Sequence, residues 1–119
     1  MTHITEAAPQ PVVLIGEYDL ERKAEVRQMF RDAIGQRRAG VIVDLSQTTF
    51  IDSTIINEVL TLRAELWKSG LGMATIAPPG GIAERILCLL GLYEHCGRCE
   101  TIEEAAAIVL RSHPERASA

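Results

Sequence analysis

Val41-Ile42-Val43-Asp44-Leu45-Ser46-Gln47-Thr48-Thr49-Phe50-Ile51-Asp52-Ser53-Thr54 changes its structural period part-way along. Its first five residues read as a strand, β-branched on both faces, as in a central strand covered on two sides. Ser46 to Thr49 read as a polar link, and Phe50-Ile51 resumes burial. From about Ser53 the apolar positions follow a helical stripe of Ile56, Val59, Leu60, Leu66 and Trp67, leaving Asn57, Glu58, Arg63 and Lys68 for solvent. Ser69-Gly70 closes that helix. A strand therefore hands over to a helix at Asp52-Ser53.

Working outward, the pattern repeats. Upstream, Val12-Val13-Leu14-Ile15 is a buried strand ended by Gly16. Asp19 then offers an N-cap, and Leu20, Ala24, Met29, Phe30, Ala33 and Ile34 recur at near-helical spacing, closed by Gly35 or Ala39-Gly40. Downstream, Met73 to Ala77 is a strand, Pro78-Pro79-Gly80-Gly81 a turn, and Ile82 to Leu90 a helix with Gly91 just past its end. Cys96 to Glu100 read as a last short strand. Thr101-Ile102-Glu103-Glu104 is a capping box, in which hydroxyl and carboxylate satisfy reciprocal backbone donors of a helix running to about Arg111. Strands alternating with helices imply βαβ units and a partly parallel sheet, an α/β fold. The domain is expected over residues 11–111, with 1–10 a flexible N-terminus or short first strand and 112–119 a flexible C-terminal tail.

Composition narrows the function. The 119 residues suit one domain, 47% hydrophobic and 24% charged, with a formal net charge of −4. Nucleic-acid binding, which needs a clustered basic surface, is not expected. The densest basic pair, Arg37-Arg38, reads as a solvated helix C-terminus. No apolar run is long enough to span a bilayer, and Met1 to Gln10 lacks the pattern of a secretory signal. Three cysteines suit a reducing cytoplasm better than a disulfide scaffold. No membrane association, cofactor or metal is expected.

Catalytic motifs are sparse. The chain has no phosphate-binding loop of the Walker or G-x-G-x-x-G type. His95 is the only internal histidine, and Ser53 lacks the flanking glycines of a nucleophile elbow. Cys96-Gly97-Arg98-Cys99 is formally C-x-x-C, but it overlaps a presumed strand, whereas a redox pair belongs at a helix N-terminus. A redox role for these cysteines with His95 predicts a low-pKa thiol. Cys88 reads as a small core residue. A non-enzyme is expected.

The Asp52-Ser53 step supports two readings. Either residue can simply be an N-cap. Equally, a helix N-terminus carries unpaired N–H groups and about half a positive charge, which favour a phosphate. A phosphoserine there would carry roughly −1.5 to −2 charges into a contact built for a neutral hydroxyl.

Three segments bear on that choice: Leu14-Ile15-Gly16-Glu17-Tyr18-Asp19, Val41-Ile42-Val43-Asp44-Leu45-Ser46 and Thr49-Phe50-Ile51-Asp52-Ser53-Thr54. Together with the Ile82 to Leu90 helix before Gly91-Leu92 and the terminal Ile102-Glu103-Glu104-Ala105 helix, they resemble, in order and spacing, the sulfate transporter and anti-sigma factor antagonist (STAS) domain. The likeness spans about residues 11 to 111.

The resemblance implies a single domain with a mixed, mostly parallel sheet of four to five strands flanked by about four helices. It implies a bacterial, cytoplasmic regulator of transcription in a stress response. Ser53 matches the residue phosphorylated by an anti-sigma factor that is itself a serine kinase, and Thr54 is a second acceptor. The unphosphorylated form would bind that anti-sigma factor and free a sigma factor; a serine phosphatase would reset the switch. Asp19, Asp52, Ser53, Thr54 and Asn57 are the expected partner-binding residues. Antagonists of this type usually continue with Gly-Leu-Gly, where this chain has Ile55-Ile56-Asn57. The substitution is expected to stiffen the first helical turn and to add side chains where a kinase approaches. It also implies an alternative, a scaffold subunit assembling with other STAS domains into a large stress-sensing complex.

Overall fold

The computed structural model describes residues 10–36, 40–91 and 97–111. Along them run β1 (Pro11–Val13), β2 (Gly16–Tyr18), a 3-10 turn (Leu20–Arg22), α1 (Lys23–Gly35), β3 (Gly40–Asp44), β4 (Thr48–Ile51), α2 (Ser53–Lys68), β5 (Gly72–Ile76), α3 (Ile82–Leu89), β6 (Arg98–Cys99) and α4 (Ile102–Arg111). The readings at His3 to Glu6, Arg37-Arg38, His95, Cys96 and the tail beyond Arg111 lie outside the described residues.

β3 organises the domain. Its side chains alternate across the sheet: Val41 and Val43 join one core with α1 and α2, while Ile42 joins another with Ala74, Ile76, Cys99 and the α4 residues Ala105 and Val109. The result is three layers, with α1 and α2 on one face of the sheet and α4 on the other. The main sheet has the order β1-β3-β5-β6, and β2 pairs with β4 in a second, two-stranded sheet. Each of these pairings is parallel. The expected α/β domain is therefore present. The expected mixture of strand directions is not seen among the described residues.

Close packing explains one glycine. A methyl group at Gly72 would run into the backbone of Val109, so α4 can seat this closely on β5 only because the side chain is missing. The capping box forms as read, with Thr101 Oγ1 accepting from Glu104 N at 3.2 Å and Glu104 Oε1 accepting from Thr101 N at 3.2 Å.

Several burial expectations need correction. Phe50 and Trp67 are exposed rather than buried, as are Leu20 and Ile15, the latter lying past the end of β1. Val26, outside the expected stripe, is fully buried in α1, and Ile55 and Leu62 are buried in α2. Glu58, expected in solvent, is buried because Arg27 on α1 reaches it with two hydrogen bonds of 3.1 and 2.9 Å. Cys88 is exposed, so it is not a core residue. Helical period alone cannot find such features, because a neighbouring helix supplies the countercharge.

Candidate functional site

The two-stranded sheet builds the site. Tyr18 and Ile51 are register partners with buried side chains, while the neighbouring partners Glu17 and Phe50 are exposed. This anchors the ends of both strands side by side, and the chain leaves each through an aspartate. Asp19 follows β2 and caps the 3-10 turn, its Oδ1 accepting from Glu21 N at 3.0 Å. Asp52 follows β4 and caps α2, its Oδ1 accepting from Ile55 N at 3.2 Å.

Asp52 also joins the two exits. Its Oδ2 accepts from Leu20 N at 3.1 Å, and its own N–H donates to Tyr18 O at 3.2 Å. Arg22 braces the turn from behind. Its guanidinium lies 3.7 Å from the Tyr18 ring centroid, donates to Glu17 O at 2.9 Å, and pairs with Glu25 at 2.8 Å. The hydrogen bonds that Arg22 donates to Glu25 raise the Arg22 pKa.

Ser53 is the first residue of α2 and is exposed. Thr54 is half-buried, and Asn57, four residues after Ser53 and so on the same helical face, is exposed. The N–H groups of Ser53 and Thr54 have no carbonyl one turn back to bond. The structure thus brings Asp19, Asp52, Ser53 and Thr54 to one corner, with Asn57 one turn up the helix. Sequence reasoning did not identify Leu20 as Asp52's second donor, nor Arg22 and Tyr18 as the brace. The only signal for either was their adjacency to Asp19.

Among solved structures, a proposed anti-sigma factor antagonist from Thermotoga maritima matches this chain with a TM-score of 0.70 and 23% sequence identity, covering 90% of this chain and 97% of that one. The chain has the STAS fold. No model of a known protein family matches it, and no curated protein matches it.

On this STAS fold, Cys99 is the one member of the competing redox set among the described residues. Cys99 is buried, with Sγ 3.6 Å from Thr75 O and 3.7 Å from Thr101 O. Burial, aided by the Glu104 carboxylate, pushes its thiol up to about 11, the opposite of an activated cysteine. Among the described residues no group of His, Cys, Asp and Glu could hold a metal ion. No helix among them is long and apolar enough to cross a membrane. A groove of about 180 Å³, lined by residues including Arg27, Arg31, Glu58 and Thr61, involves none of the expected site residues.

Proposed function

We propose that this chain is an anti-sigma factor antagonist whose partner is an anti-sigma factor with serine kinase activity, and that phosphorylation of Ser53 turns the interaction off. The observation that carries this reading is the exposed Ser53 hydroxyl at the first position of α2, directly after a capping Asp52 that also holds the neighbouring turn. In the unphosphorylated state the partner docks on a neutral hydroxyl. The kinase then transfers the γ-phosphoryl group of ATP to Ser53 Oγ; the hydroxyl proton is lost and ADP leaves. The new group brings roughly −1.5 to −2 charges beside the Asp52 carboxylate. A partner surface fitted to the hydroxyl must then desolvate or repel a dianion. Each ~1.4 kcal/mol lost weakens binding tenfold. A serine phosphatase hydrolyses the ester and restores the hydroxyl.

The departure from the usual glycines, which motivates the scaffold alternative, is also compatible with the switch. Ile55 and Ile56 are buried in the core, so of these three residues only Asn57 faces an approaching kinase. The added bulk near the hydroxyl is then that of Asn57 alone.

The test uses purified anti-sigma-type serine kinases from the source organism. One of them should bind the wild-type chain and, with magnesium and ATP, add a single phosphate mapped to Ser53. Ser53→Asp should lose binding, and Ser53→Ala should keep binding but accept no phosphate at that position. Wild-type affinity in both variants would remove the proposal.

A further inference from the structure

We infer that Leu20 and Phe50 are the apolar anchors by which the partner grips the Ser53 corner, and that the partner presents an apolar socket bordered by arginine or lysine. This rests on the switch reading above and specifies the partner's surface. The starting observation is an apparent misplacement. Phe50 is 45% exposed in the middle of β4, and Leu20 is 63% exposed at the head of the 3-10 turn. Neither exposure helps the fold. Isolated exposed apolar residues need no explanation, but these two flank one functional corner. Phe50 stands two residues before Asp52, and Leu20 donates its N–H to the Asp52 carboxylate at 3.1 Å.

Leu20 is also held in place. The Asp19 carboxylate and carbonyl accept from Glu21 N and Arg22 N, each at 3.0 Å, and Arg22 is locked over Tyr18. An apolar side chain on a braced turn loses little backbone freedom on binding, which raises the affinity it can contribute. An aromatic or aliphatic anchor inside a polar rim is the usual anatomy of a binding hot spot.

The exposed charges on the Leu20 segment are acidic. Glu17, Asp19 and Glu21 are exposed around these anchors, and Glu17 is the register partner of Phe50. Arg22 is neutralised by Glu25 at 2.8 Å, and Lys23 is half-buried at the start of α1. The surface is therefore acidic and apolar, and its complement is basic and apolar. Trp67, 66% exposed, provides an internal control. It lies near the other end of α2, roughly 21 Å from Ser53 along the helix axis.

The experiment measures affinity by calorimetry for the kinase that binds wild type, at low and at moderate salt. Leu20→Asn and Phe50→Asn are each expected to weaken binding about tenfold or more, and the pair about a hundredfold. Trp67→Ser should bind as wild type. Raising the salt should weaken wild type several-fold, and the effect should shrink in Glu17→Gln/Glu21→Gln, whose side chains carry no packing role. That charge variant also keeps the inference testable should an anchor variant fold poorly. A double anchor variant within about threefold of wild type, while Ser53→Asp abolishes binding, overturns the docking surface and leaves the switch standing. A salt-independent affinity overturns the basic border. If no such kinase binds wild type, the switch reading and this inference fall together.

Discussion

The carboxylate of Asp52 accepts a hydrogen bond from the backbone of Leu20 across a 3.1 Å gap, although 32 residues separate them in sequence. Asp52 is therefore more than a helix cap. It fixes the relative position of two chain segments, one carrying Ser53 and the other carrying Asp19. Asp52→Ala should lose the cap, at a cost of about 0.5–2 kcal/mol, and about 1 kcal/mol more for the second bond. Asp52→Asn keeps one acceptor oxygen and should cost less. Urea unfolding measures the difference, and amide exchange localises it. Both Leu20 and Ile55 amides should exchange faster in Asp52→Ala; an unchanged Leu20 amide would show that the crossing bond is not formed.

The Arg27–Glu58 pair gives a pH signature. The hydrogen bond from Arg27 holds the Glu58 carboxyl below its usual range, against the opposing effect of burial. A folded pKa below the unfolded one means that the stabilisation is fully present above the unfolded pKa. It is lost as pH falls through the folded value. Acid melts of wild type should thus show a loss of stability below about pH 4.3, the ordinary glutamate range, part of which disappears in Glu58→Gln. The two ends differ in consequence. Arg27 is half-exposed and can be solvated when Glu58 is removed, whereas Arg27→Met strands a buried carboxylate. The second change should be the more destabilising, by about 1–3 kcal/mol.

The sequence makes most of the order of elements legible because those elements carry their own local signals; β2 and the Thr48-Thr49 half of β4 do not, the first read only as the end of a strand and the second as a polar link. The β-branched run at Val41–Val43, the capping box at Thr101–Glu104 and the Pro78–Gly81 turn all act within a few residues. The Asp52-Ser53 step was legible for the same reason. What was not legible depends on neighbours distant in sequence. Glu58 is buried only because Arg27 sits across from it, and Asp52's second bond exists only because β2 and β4 end together. Phe50 reads as core from its apolar side chain, and only the folded structure shows it exposed next to buried Ile51.

Thiol chemistry separates the cysteines. Cys88 is exposed on α3, whereas Cys99 is buried with its thiol pushed up to about 11. At pH 7.5 iodoacetamide should label Cys88 within minutes and leave Cys99 unlabelled in the folded protein. Unfolding in urea should bring Cys99 to the rate of an ordinary thiol. Mass mapping of the peptides reads both. Prompt labelling of Cys99 in the native protein would contradict its burial and reopen a redox role.

Restoring the glycines usual at this point in antagonists tests whether the first turn of α2 serves stability or recognition. The two positions are Ile55 and Asn57, and they differ physically. Ile55 is fully buried, so Ile55→Gly removes a packed side chain, for which truncation to alanine alone costs about 2–5 kcal/mol. Glycine in a helix interior adds roughly 0.5–1 kcal/mol. Asn57 is exposed, and asparagine is already a weak helix former, so Asn57→Gly should cost less than about 1 kcal/mol. Chemical denaturation should show that contrast directly. Kinase binding should respond in the reverse order. Asn57 shares the exposed face with Ser53, so Asn57→Gly is expected to shift affinity or phosphorylation rate measurably. Ile55→Gly should affect either one only as far as it unfolds the domain. A folded Ile55→Gly variant with sharply altered phosphorylation would mean that flexibility in this turn, rather than the display of its exposed face, governs access to Ser53.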